Sequence, residues 1–170
     1  GVDLLLEAMP KVIAKIPDVK LEIIGGGQEK KNLMLLAKKL GIMEHITFHG
    51  WIIDKEDKWR KLSDAAIGLA PFNTKIFREE VKNADPAKVK EYLALGMPVI
   101  ATDAIANSTD IEKAQCGIIV RYKIDDLANA IITLLSDSNR LRKYRKNAVK
   151  YMKQFDFEDI ARINLERILA

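Results

Sequence analysis

Apolar and polar positions along this chain repeat with two different periods. In the first segment the apolar residues recur every three or four positions, which predicts an amphipathic helix; they are Leu4, Leu5, Ala8, Met9, Val12 and Ile13. Residues 19–24 instead alternate with a period of two and run directly into Gly25, Gly26 and Gly27. This second pattern predicts a β-strand that ends in a glycine turn.

The same alternation of helix and strand patterns continues along the chain. The further predicted strands cover residues 46–49, 66–70, 98–102 and 117–120, and the further predicted helices cover residues 29–40, 57–65, 86–95, 125–135, 139–152 and 158–169. Strands that alternate with helices are typical of an α/β fold, a parallel sheet with helices on both faces. Because such sheets bind ligands beyond the carboxyl ends of their strands, we expect a site in the loops after Ile24, His49, Ala70 and Thr102.

Composition supports one soluble domain covering residues 1–170. The chain is 48% hydrophobic and 31% charged, with a net charge of +4, so it favours anionic ligands only weakly. No apolar stretch approaches the roughly 20 residues needed to cross a bilayer. The single cysteine, Cys116, excludes an internal disulfide and fits a reducing compartment, so we expect a cytoplasmic protein.

The stretch around Pro86 carries the candidate chemistry. Asp85 is predicted to be the N-cap of a helix and Pro86 its first residue. The unpaired N–H groups of this first turn, together with the helix dipole, suit a diphosphate. Lys88 lies in the same turn and can add a positive charge, although a solvated lysine is an equally good interpretation. Glu91, one turn later, can accept hydrogen bonds from the two vicinal hydroxyls of a ribose.

Four segments of the chain resemble one enzyme family: residues 4–8, 24–27, 48–51 and 86–99. They are similar to the C-terminal domain of glycosyltransferase family four, also called group 1. The resemblance implies half of a GT-B enzyme, in which two Rossmann-like domains face each other across a cleft. It also implies transfer of a sugar, with retention, from a nucleoside diphosphate sugar to a glycan or lipid-linked acceptor, without a metal or other cofactor.

The same resemblance implies that this chain is the donor-binding half alone. In the family, the first strand of this domain and an Arg and a Lys that clamp the diphosphate precede the position of Gly1. The acceptor-binding N-terminal domain is also expected to be missing. We therefore expect the fragment to bind the donor nucleotide and to be inactive without its partner domain, and the resemblance assigns no catalytic residue.

Individual roles follow by matching positions to the family motif. Glu91 matches the second glutamate of the Glu-(seven residues)-Glu motif, which binds the ribose. Asn83 stands where the first glutamate, which contacts the donor sugar, is expected, and Ala84 and Asp85 complete that loop. An asparagine keeps hydrogen-bonding capacity but carries no charge. This departure motivates one alternative, a non-catalytic binding module with the same fold; a sugar-nucleotide epimerase domain is another.

Two further loops have both a functional and a structural interpretation. Gly25 and Gly26 line the expected cleft, but they also fit a simple turn that needs positive φ. By the resemblance, the backbone of the loop at Trp51 contacts the nucleobase together with Ile52; the alternative is that these residues pack in the core or within the subdomain. These loops extend the predicted nucleotide site beyond Lys88 and Glu91.

Other polar residues do not point to a metal or a nucleic acid. His45 and His49 lack a third ligand at suitable spacing, so no metal site is predicted. The basic run at residues 140–146 is interpreted as a solvated helix face, or as a contact with anionic lipid headgroups at the inner face of a membrane. No aromatic platform interleaves these charges, which argues against nucleic-acid binding.

Overall fold

A computed structural model describes residues 1–73 and 86–155. Its helices are α1 (Val2–Lys15), α2 (Lys30–Lys39), α3 (Lys55–Ser63), α4 (Ala87–Ala94), α5 (Ser108–Lys113), α6 (Ile124–Ser136) and α7 (Ser138–Met152). Its strands are β1 (Leu21–Ile24), β2 (Ile46–Gly50), β3 (Gly68–Ala70), β4 (Val99–Thr102) and β5 (Gly117–Val120). Short 3₁₀ turns cover Met43–His45 and Lys153–Phe155. The predicted α/β class is confirmed, and the helix predicted at residues 158–169 lies outside the described residues.

All pairings between the named strands are parallel, and they form two groups. β1 pairs with β2, with Leu21 opposite Ile46, and β4 lies between β3 and β5 in the second group. Between β1 and β3 lies a cavity of 730 Å³, lined on one side by residues 19–24 and on the other by residues 65–72. The backbone of Gly1 lies directly against Pro71, just past the end of β3. A strand running into α1 would therefore fit this gap, parallel to both neighbours, which is the position of the expected first strand.

Helices cover both faces of the strands, as the alternating pattern predicts. On one face α1 packs against α6 and α2, and the buried side chains that these helices contribute there include Leu6, Met9, Val12, Leu127, Ile131 and Leu134. On the other face α4 packs against α7, with α5 beside β5, and the buried residues include Val89, Leu93, Ile111, Cys116 and Ala148. Full burial of one such Leu or Ile stabilises the fold by about 1.5–3 kcal/mol.

Cys116 is a buried core residue, as its small apolar side chain predicts. Its thiol is fully shielded from solvent and donates to the Ile111 carbonyl oxygen at 3.5 Å. Burial disfavours the charged thiolate and raises the pKa of Cys116 to about 11.

This raised pKa predicts that Cys116 resists alkylation in the folded protein. Only about one thiol in a thousand is ionised three pH units below its pKa, and the thiolate is the reactive form. At pH 8 we expect negligible labelling by iodoacetamide over an hour, and complete labelling once the chain is unfolded in guanidinium. Rapid labelling without denaturant would show that the thiol is accessible.

Candidate functional site

The glycine turn after β1 and the end of β2 meet at the carboxyl edge of the strands. The Gly25 amide donates to the Gly50 carbonyl oxygen at 2.8 Å. Gly25 and Gly50 have φ angles of +130° and +74°, which residues other than glycine rarely adopt. These two glycines therefore hold the predicted loops side by side.

Trp51 lies over this glycine turn rather than in the core. A Cβ placed on Gly26 would lie only 2.5 Å from the Trp51 indole nitrogen, so the indole rests against the Gly26 backbone. The Trp51 side chain is 79% exposed, and that of Ile53 is 95% exposed. An exposed aromatic ring can stack on a nucleobase. The structure thus brings Gly25, Gly26 and Trp51 together, with the partly buried Ile52 following in the same loop.

Helix α4 begins one residue later than predicted. Pro86 has a ψ of 122°, an extended conformation, so it is the N-cap and Ala87 is the first helical residue. The prediction that Pro86 occupies the first helical position is therefore wrong by one residue. The Val89 amide donates to the Pro86 carbonyl oxygen at 3.0 Å, and the earlier amides of the turn have no helical partner. The predicted sugar-contacting residues Asn83, Ala84 and Asp85 lie outside the described residues.

The first turn of α4 lies at the carboxyl end of β3. Lys88 is exposed, and its ammonium lies 5.2 Å from the ring centre of Phe72, which follows that strand. The buried Thr102 hydroxyl donates to the Phe72 carbonyl oxygen at 2.9 Å and ties the ends of β3 and β4 together. Lys88 therefore lies at the strand edge where ligands of such sheets bind.

Glu91 is engaged by a residue that sequence reasoning did not find. The Lys58 ammonium, on α3, lies 2.9 Å and 3.1 Å from the two carboxylate oxygens of Glu91. Both side chains are 32% exposed, so the pair is reachable from solvent. Burial, followed by the charge of Glu91, raises the pKa of the neighbouring Tyr92, whose ring packs against Gly68. No local signal marks Lys58, because its partner is 33 positions away in the sequence.

The two histidines make structural hydrogen bonds between neighbouring elements. His49 on β2 contacts the Glu22 carboxylate on the adjacent β1, and His45 Nδ1 lies 3.0 Å from the Val19 carbonyl oxygen. Among residues 1–73 and 86–155, no three His, Cys, Asp or Glu side chains cluster closely enough to hold a metal ion.

The basic run lies on the outer face of α7. Its exposed cations are Arg140, Arg142, Lys143 and Lys146, and the exposed Lys150 follows on the same helix, while Ala148 and Tyr151 face the core. The predicted contact with lipid headgroups stays a prediction. Within the part of the chain that the structure describes, no helix is long and apolar enough to span a bilayer.

Comparison with known proteins decides the family. The profile of a family described as glycosyl transferases group 1 matches residues 1–151. The chain belongs to the group 1 glycosyl transferases. The resemblance carried by the four sequence segments is therefore confirmed.

Two curated relatives of this group 1 chain are mycobacterial mannosyltransferases. The chain is 28% identical over 142 residues to a GDP-mannose-dependent alpha-(1-6)-phosphatidylinositol monomannoside mannosyltransferase of Mycobacterium tuberculosis, covering 82% of this chain and 36% of the relative. It is 28% identical over 162 residues to a phosphatidyl-myo-inositol mannosyltransferase of Mycobacterium leprae, covering 95% and 40%. The chain thus spans less than half the length of these relatives.

Solved structures of glycosyltransferases share the fold. The C-terminal domain of a group 1 glycosyl transferase, LpcC, from Francisella tularensis superimposes with a TM-score of 0.74 at 23% identity, covering 92% of this chain and 79% of that one. WaaG, a glycosyltransferase of lipopolysaccharide biosynthesis, gives a TM-score of 0.75 at 22% identity, covering 92% and 40%. The predicted Rossmann-like half of a GT-B enzyme is therefore confirmed as the fold class.

Proposed function

We propose that residues 1–170 form the donor-binding domain of a retaining glycosyltransferase. The proposed reaction moves a sugar from a nucleoside diphosphate sugar to a glycan or lipid-linked acceptor bound by a second domain. One observation carries the proposal: Lys88 and the amides at the start of α4 lie at the strand edge where this fold binds ligands, one helical turn from Glu91.

The diphosphate is assigned to the first turn of α4. Amides of that turn lack helical partners, and the positive end of the helix dipole favours an anion there. The exposed ammonium of Lys88 adds a full positive charge in the same turn. The family resemblance implies transfer without a metal ion, and we propose the same for this domain.

The nucleoside is assigned to the two groups of residues on either side of the gap. The Glu91 carboxylate accepts hydrogen bonds from the ribose hydroxyls, since two carboxylate oxygens match two vicinal donors. The exposed Trp51 ring, resting on Gly26, offers a face on which the base can stack. The donor sugar is assigned to the loop with Asn83, Ala84 and Asp85.

Nucleotide titration tests the proposal. The sample is a two-domain protein that contains this chain, so that the groups expected before α1 are present. Isothermal titration calorimetry then compares the affinities for GDP, UDP and ADP. GDP comes first because the relative from Mycobacterium tuberculosis is GDP-mannose-dependent. Measurable binding of one of the three is expected, and binding of none would contradict the proposal.

Replacing Glu91 by alanine is expected to weaken nucleotide affinity by about 1–3 kcal/mol, because hydrogen bonds from the ribose to a charged acceptor are lost. The affinity of the matched variant Glu112→Ala should be unchanged, since Glu112 is an exposed glutamate on α5. Equal affinities of the Glu91→Ala variant and the wild type would remove the ribose assignment.

A non-catalytic binding module is the second candidate. It is favoured by one sequence feature, since Asn83 replaces the first acidic residue of the motif. The two candidates differ in turnover. A two-domain protein that binds a sugar nucleotide but neither transfers nor hydrolyses its sugar would support the second.

A further inference from the structure

The ion pair between Lys58 and Glu91 links two parts of the candidate site. Lys58 belongs to α3, which begins directly after the loop containing Trp51, whereas Glu91 belongs to α4. The start of α3 is fixed by the Asp54 carboxylate, which accepts from the Asp57 amide at 2.8 Å. The same cap that ends the Trp51 loop therefore also sets the position of Lys58, one turn into the helix.

The geometry of the pair holds the carboxylate in one orientation. The ammonium contacts both oxygens, at 2.9 Å and 3.1 Å, and lies 5.2 Å from the ring centre of Trp59. A carboxylate offers about four lone-pair sites, of which a lysine contacting both oxygens uses two. Two sites remain for donors approaching from the open side, and the rotation of Glu91 is restricted.

We propose that Lys58 is a positioning residue that fixes the Glu91 carboxylate for the two ribose hydroxyls. This inference rests on the proposed function of Glu91. Lys58 also neutralises Glu91 one helical turn from the diphosphate position, where a bare carboxylate would repel the ligand. Lys58 therefore makes the enzyme sensitive to the presence of both hydroxyls without touching the nucleotide.

Discrimination between GDP and 2′-deoxy-GDP tests this role. Both dissociation constants are measured by calorimetry, in a two-domain protein containing this chain, for the wild type and for Lys58→Met. The variant keeps an unbranched side chain only one heavy atom shorter and removes its charge. In Lys58→Met we expect the dissociation constant for GDP to rise about tenfold, as for loss of a charge-assisted contact. We also expect the dissociation constant for 2′-deoxy-GDP, divided by that for GDP, to fall toward one.

Two further variants separate positioning from simple loss of charge. Lys55→Met removes an exposed charge from the same helix and should leave the ratio unchanged. Lys58→Arg keeps a donor that can contact both oxygens and should restore most of the discrimination. If Lys58 acted through its charge alone, Lys58→Met would lower the affinities for GDP and 2′-deoxy-GDP by the same factor. An unchanged ratio of the two dissociation constants would therefore overturn the inference.

The Glu91→Gln variant distinguishes failure of this inference from failure of the proposed function. If wild-type protein binds GDP and 2′-deoxy-GDP equally, Glu91 does not read the ribose, and both proposals fail. If the wild type discriminates and Glu91→Gln does not, the ribose role holds. Retained discrimination in Lys58→Met would then overturn the role of Lys58 alone.

Discussion

Replacing Leu93 by alanine is expected to lower the free energy of unfolding by about 2–5 kcal/mol. Leu93 is fully buried on α4, in the cluster between that helix, α7 and the strands. Truncating its side chain removes apolar contacts and leaves a cavity that the neighbouring backbone elements can close only in part. Equilibrium denaturation in urea, followed by circular dichroism, measures the change.

This substitution also tests how the site depends on the core, because α4 carries both Lys88 and Glu91. The matched control is Leu35→Ala on α2, where the leucine is 65% exposed and the expected change is within about 0.5 kcal/mol. If the two variants were equally stable, Leu93 would not be the packing anchor of α4.

Adding a strand before α1 is expected to raise the free energy of unfolding by about 2–4 kcal/mol, from apolar burial and new ladder hydrogen bonds less the cost of ordering the segment. The extension is a Val- and Ile-rich segment as long as β1, which has four residues, joined to Gly1 through a Gly/Ser loop. It would enter the 730 Å³ cavity and pair with β1 on one side and β3 on the other. Urea denaturation gives the free energy.

Hydrogen exchange shows whether the added segment occupies the gap. Slower exchange of the facing amides of β1 and β3 is expected with the apolar extension. A control extension of the same length, built from Ser and Asp, should change neither the exchange nor the stability, because charged side chains resist burial. A stabilising extension that leaves those amides unprotected would place the segment elsewhere.

The order of helices and strands could be predicted because most of the longer elements have a clear apolar period. The helix that was not predicted is α5, whose six residues include only one buried side chain, Ile111, so it carries no readable period. The start of α4 differs from the prediction by one residue because Pro86 keeps an extended ψ. Proline fixes φ alone, so its presence did not define which side of the helix boundary it occupies.

The location of the site followed from chain order, whereas one of its contacts did not. The carboxyl ends of parallel strands meet at one edge of a sheet, so the sequence alone was enough to place the loops after Ile24, His49 and Ala70 in one site. The pairing of Lys58 with Glu91 depends on how α3 packs beside α4, and lysines on exposed helix faces are ordinary. Exposure of Trp51 was likewise undecided, because its loop is compatible with packing or with solvent.

The space between β1 and β3 divides the proposed nucleotide site into two halves. The surface for the base is attached to β1 and β2, and the groups for the phosphates and ribose are attached to the strand group that begins with β3. A segment that fills this space would set the distance between the two halves, which the contact between Lys58 and Glu91 also links. The distance between β1 and β3 therefore sets the length of nucleotide that both halves can contact at once. A change in that distance would alter nucleotide affinity without altering any residue that touches the ligand.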